Sequence, residues 1–344
     1  MLKKKMPVRK NKYFRDKVKI IEVAKGKRVS SLLHEMAQTG FQGKKLGEVA
    51  EIWAEMVRQK DLTIFMGLTG SMSTAGMWKI VCWLIENRYI DILISTGANI
   101  SEDIFAGMGG TYWQGSHLVD DAKLYEEKID RFYDVFADEY QYREMEHMLA
   151  DFMSTLDTSH CYSSREFMYL LGKELHKSGI PSIATSAYKA KVPIFSPAII
   201  DSGYGVAAMH FMNRGHHIEI DQVKDMEEAT KVAINAKRTG VIYVGGGVPK
   251  DFTQLLAVIQ ELKSHDDSPH DYAIQITTDS PQWGGLSGCT LEEAISWGKT
   301  SPGGKNAVCY CDATIALPLI SHALAETAGK RANCPDFSKI FDDM

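Results

Sequence analysis

From residue 62 onward, short and nearly continuous apolar runs alternate with longer amphipathic stretches. The runs are Leu62–Met66, Ile90–Ile94, Val192–Phe195, Val241–Val244, Tyr272–Ile276 and Val308–Tyr310. A strand with one wet face alternates apolar and polar residues, whereas a strand covered on both faces has no polar side to show. The runs therefore predict a mostly parallel sheet buried on both sides. Between them the spacing predicts helices over Thr74–Asn87, Arg165–Lys177, Val223–Lys237, Pro249–Lys263, Leu291–Trp297 and Ile315–Glu326. Such alternation implies an α/β, doubly wound fold with right-handed crossovers. Upstream, Val29 to Lys60 predicts two N-terminal helices. In the second, Leu46, Val49, Ile52, Trp53 and Met56 form one apolar stripe. Residues 110–190 are expected to form a mostly helical, aromatic-rich insertion packed on the sheet. No repeat and no Pro/Gly/Ser-rich linker interrupts the chain. The expectation is one domain over 29–330, a basic N-terminal segment over 1–28 and a C-terminal tail over 331–344.

The loop after each run carries the chemical information. After Met66 comes Gly-Leu-Thr-Gly-Ser, and after Ile94 comes Ser-Thr-Gly-Ala-Asn. After Phe195 comes Ser-Pro-Ala-Ile-Ile-Asp-Ser-Gly-Tyr-Gly, and after Val244 comes Gly-Gly-Gly-Val-Pro-Lys. After Ile276 comes Thr-Thr-Asp-Ser, and after Cys311 comes Asp-Ala-Thr. Small residues let a ligand approach the backbone, and hydroxyls with helix N-termini supply donors for phosphate. In open α/β sheets these loops lie at the carboxyl edge, where ligands bind. Six such edges together point to a nucleotide-type site; singly, each is also ordinary turn chemistry.

Composition narrows the partners. The 344 residues carry a formal net charge of -5 and are 44% hydrophobic, so neither nucleic acid nor an anionic membrane surface is expected as a partner. Lys3, Lys4, Lys5, Arg9, Lys10 and Lys12 cluster at the start, without an apolar segment behind them, which fits a solvated terminus. No run of about 18 apolar residues is present to span a membrane. Six scattered cysteines fit reduced thiols in a cytoplasmic protein.

Several motifs invite an assignment. Gly203-Tyr204-Gly205-Val206-Ala207-Ala208 fits the pattern G-x-G-x-x-A, but the preceding run ends several residues earlier. Gly298-Lys299-Thr300 looks like the end of a phosphate-binding loop, yet the position requiring the first glycine is Glu293. Lys299 can be a helix-end cation favoured by the dipole. It can equally be an amine nucleophile, since Trp297, glycine, Glu292 and Glu293 surround it in sequence. His216, His217, Glu219 and Asp221 could be metal ligands or a hydrogen-bonded loop cluster, and no metal is expected. Cys309 and Cys311 alternate along one strand and are expected to be structural. Thr96-Gly97-Ala98-Asn99-Ile100-Ser101 resembles the NAD-cradling loop of sirtuin deacylases, although the paired C-x-x-C zinc site is missing.

Taken together, the loops resemble the deoxyhypusine synthase family over roughly residues 30–328. The carrying segments are Gly67-Leu68-Thr69-Gly70-Ser71, Asp91 through Asp103, Phe195-Ser196-Pro197-Ala198 and Gly245-Gly246-Gly247-Val248-Pro249-Lys250. The most specific is Glu293-Ala294-Ile295-Ser296-Trp297-Gly298-Lys299, followed by Asp312-Ala313. The resemblance implies a Rossmann-like homotetramer that binds NAD at dimer interfaces. It implies oxidation of spermidine, release of 1,3-diaminopropane and an aminobutyl imine on the lysine matching Lys299. The group would then pass to a lysine of a translation factor and be reduced. The resemblance places NAD contacts on Thr69, Ser71, Thr96, Gly97, Glu102, Asp201, Gly246, Gly247, Thr278, Asp279, Asp312 and Ala313. It places polyamine contacts on Gly284, Ser287, Glu293 and Trp297.

Three positions depart from the family pattern. Val206 and Leu286 stand where aspartates are expected, and Asp251 stands where a histidine is expected. Asp251 joins the expected amine-binding set, and the bound amine is expected to differ in length or charge spacing. The stretch Trp283-Gly284-Gly285-Leu286-Ser287-Gly288 is similar to the prokaryotic deoxyhypusine-synthase-like branch. Transfer to a small amine such as putrescine, as in homospermidine-synthase-type relatives, therefore stands beside transfer to a protein lysine. A sirtuin-type hydrolase, which would not need Lys299, and a non-catalytic NAD-binding module are the readings from other classes.

Overall fold

The computed structural model describes residues 11–264 and 268–341. The expected basic cluster at Lys3, Lys4, Lys5, Arg9 and Lys10 lies outside the described residues, while Lys12 is exposed beside the Tyr13 ring.

Six parallel strands form the central sheet. They are β1 (Leu62–Leu68), β2 (Ile92–Ser95), β3 (Ile194–Phe195), β4 (Arg238–Val244), β5 (His270–Thr277) and β6 (Thr300–Tyr310). Their order is β6-β5-β4-β1-β2-β3, so the chain builds outward from β1 to one edge and then returns beside β1 to build the other. The strand order reverses between β1 and β4, which pair in continuous register from Leu62↔Arg238 to Leu68↔Val244.

The alternation of side chains across the strands explains the apolar runs. Ile64, Met66, Leu68, Leu93, Ile242 and Val244 enter one core. Phe65, Ile92, Ile94, Val241 and Tyr243 enter a second core on the opposite face. The first is covered by helices that include Val29–Ala37, Phe41–Arg58, Trp78–Glu86 and Ala313–Thr327. The second is covered by helices Gln222–Asn235 and Gly247–Ser264, with Leu291, Phe337 and Phe341.

Element boundaries differ from the expectation where strands lie at the sheet margins. β3 spans two residues rather than four, because Pro193 has no N–H to give a ladder and the strand is an edge. β6 begins at Thr300 instead of Val308, because its first half is a polar edge with a register irregularity and so makes no apolar run. The helix expected from Thr74 starts at Trp78, after a turn through Gly76 at φ 82°. The insertion is not purely helical. Trp113–Gln114, Ile129–Phe132 and Val135–Asp138 form a three-stranded antiparallel sheet too short and too polar to show in the pattern. Phe105 and Tyr142 stack at 4.5 Å, and the Tyr112 and Tyr142 hydroxyls meet at 2.8 Å, joining the insertion to the core.

The segment expected as a C-terminal tail is docked. Arg331 donates to Asp91 at 2.6 Å and to the Leu62 carbonyl, and Asp91 also accepts from Arg88 at 3.2 Å and from Ile64 N at 2.9 Å. Asp91 is fully buried, and the pairing spans 240 residues, so no local pattern announces it. Removing one member of a buried ion pair strands the other charge at a cost of about 3 kcal/mol or more. Arg331→Ala should therefore lower unfolding stability by roughly that amount. Urea denaturation would check this; an unchanged midpoint would mean that the pair is dispensable.

Candidate active site at the carboxyl edge

The reversal between β1 and β4 opens a crevice at the carboxyl ends of the strands. A cleft of ≈ 360 Å³ lies there, lined by Thr69, Ser71, Gly246, Thr278, Asp312 and Ala313 among others. That volume sits at the lower end of the range of about 300–1,000 Å³ usual for small-ligand sites. A larger cavity of ≈ 610 Å³ lies between the first two helices and the last, and contains none of the expected site residues.

The glycine loops are shaped by contact. Gly245 and Gly247 take φ 77° and 55°, where a side chain would be strained. A Cβ on Gly246 would strike the Ser287 backbone. Thr69 Oγ1 donates to the Gly246 carbonyl at 2.5 Å, tying the two central loops together. The helix Gly247–Ser264 starts at this point, so its dipole, with the Val248 N–H, favours an anion. With the hydroxyl of Thr278, this donor set fits a phosphate-bearing ligand.

The remaining expected cofactor residues serve in different ways. Asp279 lines the cleft with Thr278. Asp312 caps the last helix, accepting from Thr314 N at 2.7 Å. Glu102 is buried, and both of its oxygens lie 2.7 Å from Ser71 Oγ, so it holds the loop after β1. Burial pushes the Glu102 carboxyl up, against the hydrogen bond from Ser71. Thr96 Oγ1 donates to the Gly70 carbonyl at 3.2 Å and accepts from Asn99 at 3.0 Å. Gly97 packs against the turn containing Ile199 and Ser202, which carries the exposed Asp201. Thr96, Gly97, Glu102 and Asp201 thus flank the cleft loops rather than line the cleft itself.

The expected amine side is adjacent. Lys299 Nζ lies 3.1 Å from Asp251 Oδ1 and 5.5 Å from the centre of the Trp297 ring. The lysine side chain is 13% exposed and so largely buried. It follows helix Leu291–Ser296 through Gly298 at φ 67°. Trp297 and Trp283 are largely exposed. Glu293 is exposed on the same helix, and Gly284 turns at φ 69° with open space around it. Ser287 lines the cleft and accepts from Gly247 N at 3.1 Å, which joins the two halves of the site.

Other motifs have structural explanations. Gly203 and Gly205 lie within helix Gly203–Asn213, not in a strand-to-helix turn, and a Cβ on Gly205 would strike the Ile200 carbonyl. His216 stacks on Phe211, and Asp221 caps helix Gln222–Asn235. Among the described residues no group of three or more His, Cys, Asp or Glu could hold a metal. Cys309 is buried, and burial pushes its thiol up to about 12.

Sequence reasoning missed two buried site residues, Lys250 and Gln275. A lysine in the first turn of a helix, where the dipole opposes it, was the available signal for Lys250. Its Nζ donates to Gln275 Oε1 at 3.0 Å and to the Leu286 and Cys289 carbonyls at 3.3 and 2.5 Å. Burial lowers it to about 8. Burial also pushes the Cys289 thiol up; Lys250 opposes this and Glu293 adds to it.

Asp103, next to Glu102, is raised by burial to about 7, while Ile183 N donates to it. A carboxyl raised in the folded state contributes stability below its unfolded pKa and loses it as pH rises through the folded value. Asp103→Asn should therefore be less sensitive than the parent to a pH increase from 4 to 8, by an amount on the order of a few kcal/mol. Urea midpoints across that range would check this. Parallel pH profiles would mean that Asp103 titrates normally.

A deoxyhypusine synthase family model matches residues 31–324. "Probable deoxyhypusine synthase 2" of Archaeoglobus fulgidus is 53% identical over 289 residues, covering 84% of this chain and 95% of the relative. The protein of the same name from Methanosarcina acetivorans is 50% identical over 304 residues, covering 88% of each. A "Deoxyhypusine synthase-like protein" of Chlorobaculum parvum is 38% identical over 315 residues, covering 90% of this chain and 89% of the relative. A crystal structure of a deoxyhypusine synthase candidate from Entamoeba histolytica shares the fold at TM-score 0.63 and 20% identity, covering 89% of this chain and 96% of that one. This chain belongs to the deoxyhypusine synthase family.

Proposed function

We propose that this protein is an NAD-dependent transferase that moves a 4-aminobutyl group from spermidine through an imine on Lys299 to an acceptor amine, with a protein lysine of a translation factor as the acceptor. The observation that carries the reading is the Lys299–Asp251 pair at 3.1 Å, beside the Trp297 ring, with Asp251 near the start of the helix that begins at the glycine loop. NAD held in the glycine-lined cleft would supply reversible hydride transfer to the reaction. Thr69, Gly246, Gly247 and Thr278 are the residues that would hold it, at the start of the helix Gly247–Ser264.

The rest is the work of this chain's side chains. Lys299 must lose a proton before it can attack carbon, and its Nζ rests 3.1 Å from Asp251 Oδ1. An entering polyamine ammonium competes with Lys299 for Asp251, which frees the lysine as the substrate seats. Trp297 offers its ring face to a second ammonium, and Glu293, four residues earlier in the chain, offers a carboxylate. Attack of Lys299 on the oxidised carbon forms a carbon–nitrogen bond and releases 1,3-diaminopropane. The acceptor amine then displaces Lys299, and reduction of the new imine ends the cycle. The homotetrameric state implied by the family belongs to the same proposal, with a second copy completing the walls of a cleft that is open in one chain.

A second acceptor is favoured by a specific observation. Val206 and Leu286 leave two apolar positions where carboxylates are expected. Fewer anionic partners favour a shorter or less charged amine, so putrescine as acceptor, giving homospermidine, is the runner-up.

Mass spectrometry after incubation with NAD and spermidine and trapping with borohydride should find an aminobutyl adduct on Lys299. Lys299→Ala should abolish both the adduct and the transfer. An adduct elsewhere, or full transfer by Lys299→Ala, would overturn the mechanism. Asp251→Asn should raise the KM for spermidine by about tenfold, the equivalent of one charge-assisted hydrogen bond. Steady-state kinetics would check it, and an unchanged KM would remove Asp251 from the amine site.

A further inference from the structure

We propose that Lys250 is a positioning residue for the amine side of this site. Its buried ammonium, completed by Gln275, clamps the turn Leu286–Cys289 against the glycine loop Gly245–Gly247. The inference rests on the amine-transfer reading for its kinetic consequence, and on the structure alone for the clamp.

Lys250 has no exposed surface. Its ammonium has three protons to donate, and three acceptors receive them: Gln275 Oε1, the Leu286 carbonyl and the Cys289 carbonyl. All three are neutral, and the nearest aromatic face is that of Tyr243, 5.9 Å away. A buried cation without a carboxylate is expensive, and its lowered pKa reflects that cost. An apolar side chain of the same length would remove the cost, but would leave two backbone carbonyls of the turn unsatisfied. The ammonium therefore determines where those carbonyls stand.

Gln275 extends the clamp to the other loop. Its Oε1 accepts from Lys250, while its Nε2 donates to the Gly245 carbonyl at 2.9 Å and to the Ser287 carbonyl at 2.8 Å. Both ends of the amide are used, so its orientation is set by the network. Ser287 Oγ accepts from Gly247 N at 3.1 Å, and Gly246 has no room for a Cβ against Ser287. The turn is thus held to the glycine loop by side chain, backbone and contact.

The consequence runs along the chain. Through the Thr290 cap, the turn leads into helix Leu291–Ser296, which carries Glu293 and delivers Trp297 and Lys299. Lys250 is also the residue before Asp251, the partner of Lys299. One buried cation therefore sets the amine nucleophile and its carboxylate relative to each other. Lys250 acts through the turn; its Nζ is spent on three acceptors and faces no opening.

The test uses the full chain with Lys250→Met, Gln275→Leu and the double variant. Hydrogen exchange should rise at least tenfold across residues 286–298 in each single variant, while the amides of β1 and β2 keep their protection. The KM for spermidine should rise at least tenfold with NAD affinity changed less than threefold. The double variant should be no worse than the worse single, because both residues serve one clamp. Unchanged exchange in that segment, multiplicative losses in the double variant, or a loss of kcat alone would overturn the proposal. So would a borohydride-trapped adduct on Lys250, which would make it a nucleophile. If Lys250→Met does not fold, Gln275→Leu carries the same exchange test. If the parent protein forms no adduct with spermidine, the proposed function fails while the exchange measurement still judges the clamp.

Discussion

The pairing of β1 with β4 is the constraint on which the rest of the molecule depends. Seven residues of each strand lie in register, and they run parallel. Because the chain leaves β1 toward one edge and returns at β4 to build the other, the crossovers diverge above this pair. The loops after the two strands are left side by side with no crossover between them. Thr69 and Gly246 meet there through a hydrogen bond, and the cleft opens beside them. A ligand that enters therefore meets backbone, hydroxyls and a helix N-terminus rather than bulky side chains.

Buried charge organises the molecule around that crevice. At the amino edge of the sheet, Asp91 collects Arg88, Arg331 and the Ile64 amide, which pins the C-terminal segment beneath the strands. At the carboxyl edge, Lys250 and Glu102 each hold a loop of the site. The two edges treat charge differently. The Asp91 pair is compensated by opposite charge and is structural in effect. Lys250 and Glu102 are met by neutral groups, so burial shifts both away from their ordinary pKa values. Groups so perturbed cluster where chemistry is expected, and Asp251, the carboxylate paired with Lys299, is the residue next to Lys250.

Much of the fold was legible because each central strand is buried on both faces, and two-sided burial leaves a continuous apolar run in the sequence. The two-residue β3, the polar half of β6 and the small sheet in the insertion were not legible. Each is an edge or a short half-wet strand, and such segments carry little periodic signal. The site shows the same division. The small and hydroxylated residues after each run could be read directly, and Thr69, Ser71, Gly246, Thr278, Asp279, Asp312 and Ala313 do converge on one cleft. The partner of Lys299 could not be read from spacing, since Asp251 lies 48 residues away on another element.

By itself the sequence determined the kind of sheet, the places where its loops would be small and polar, and the lysine with an unusual neighbourhood. Local composition and periodicity carry that information, because burial and turn chemistry act on residues close in the chain. Only the tertiary structure decided which loops face one another, which charges are buried and what neutralises them. It set Glu102 to holding Ser71 and docked the segment after Arg331. It also placed a lysine with no exposed surface against the turn Leu286–Cys289. Those outcomes depend on contacts between residues tens to hundreds of positions apart, and a hydrogen bond across such a distance leaves no periodic trace along the chain.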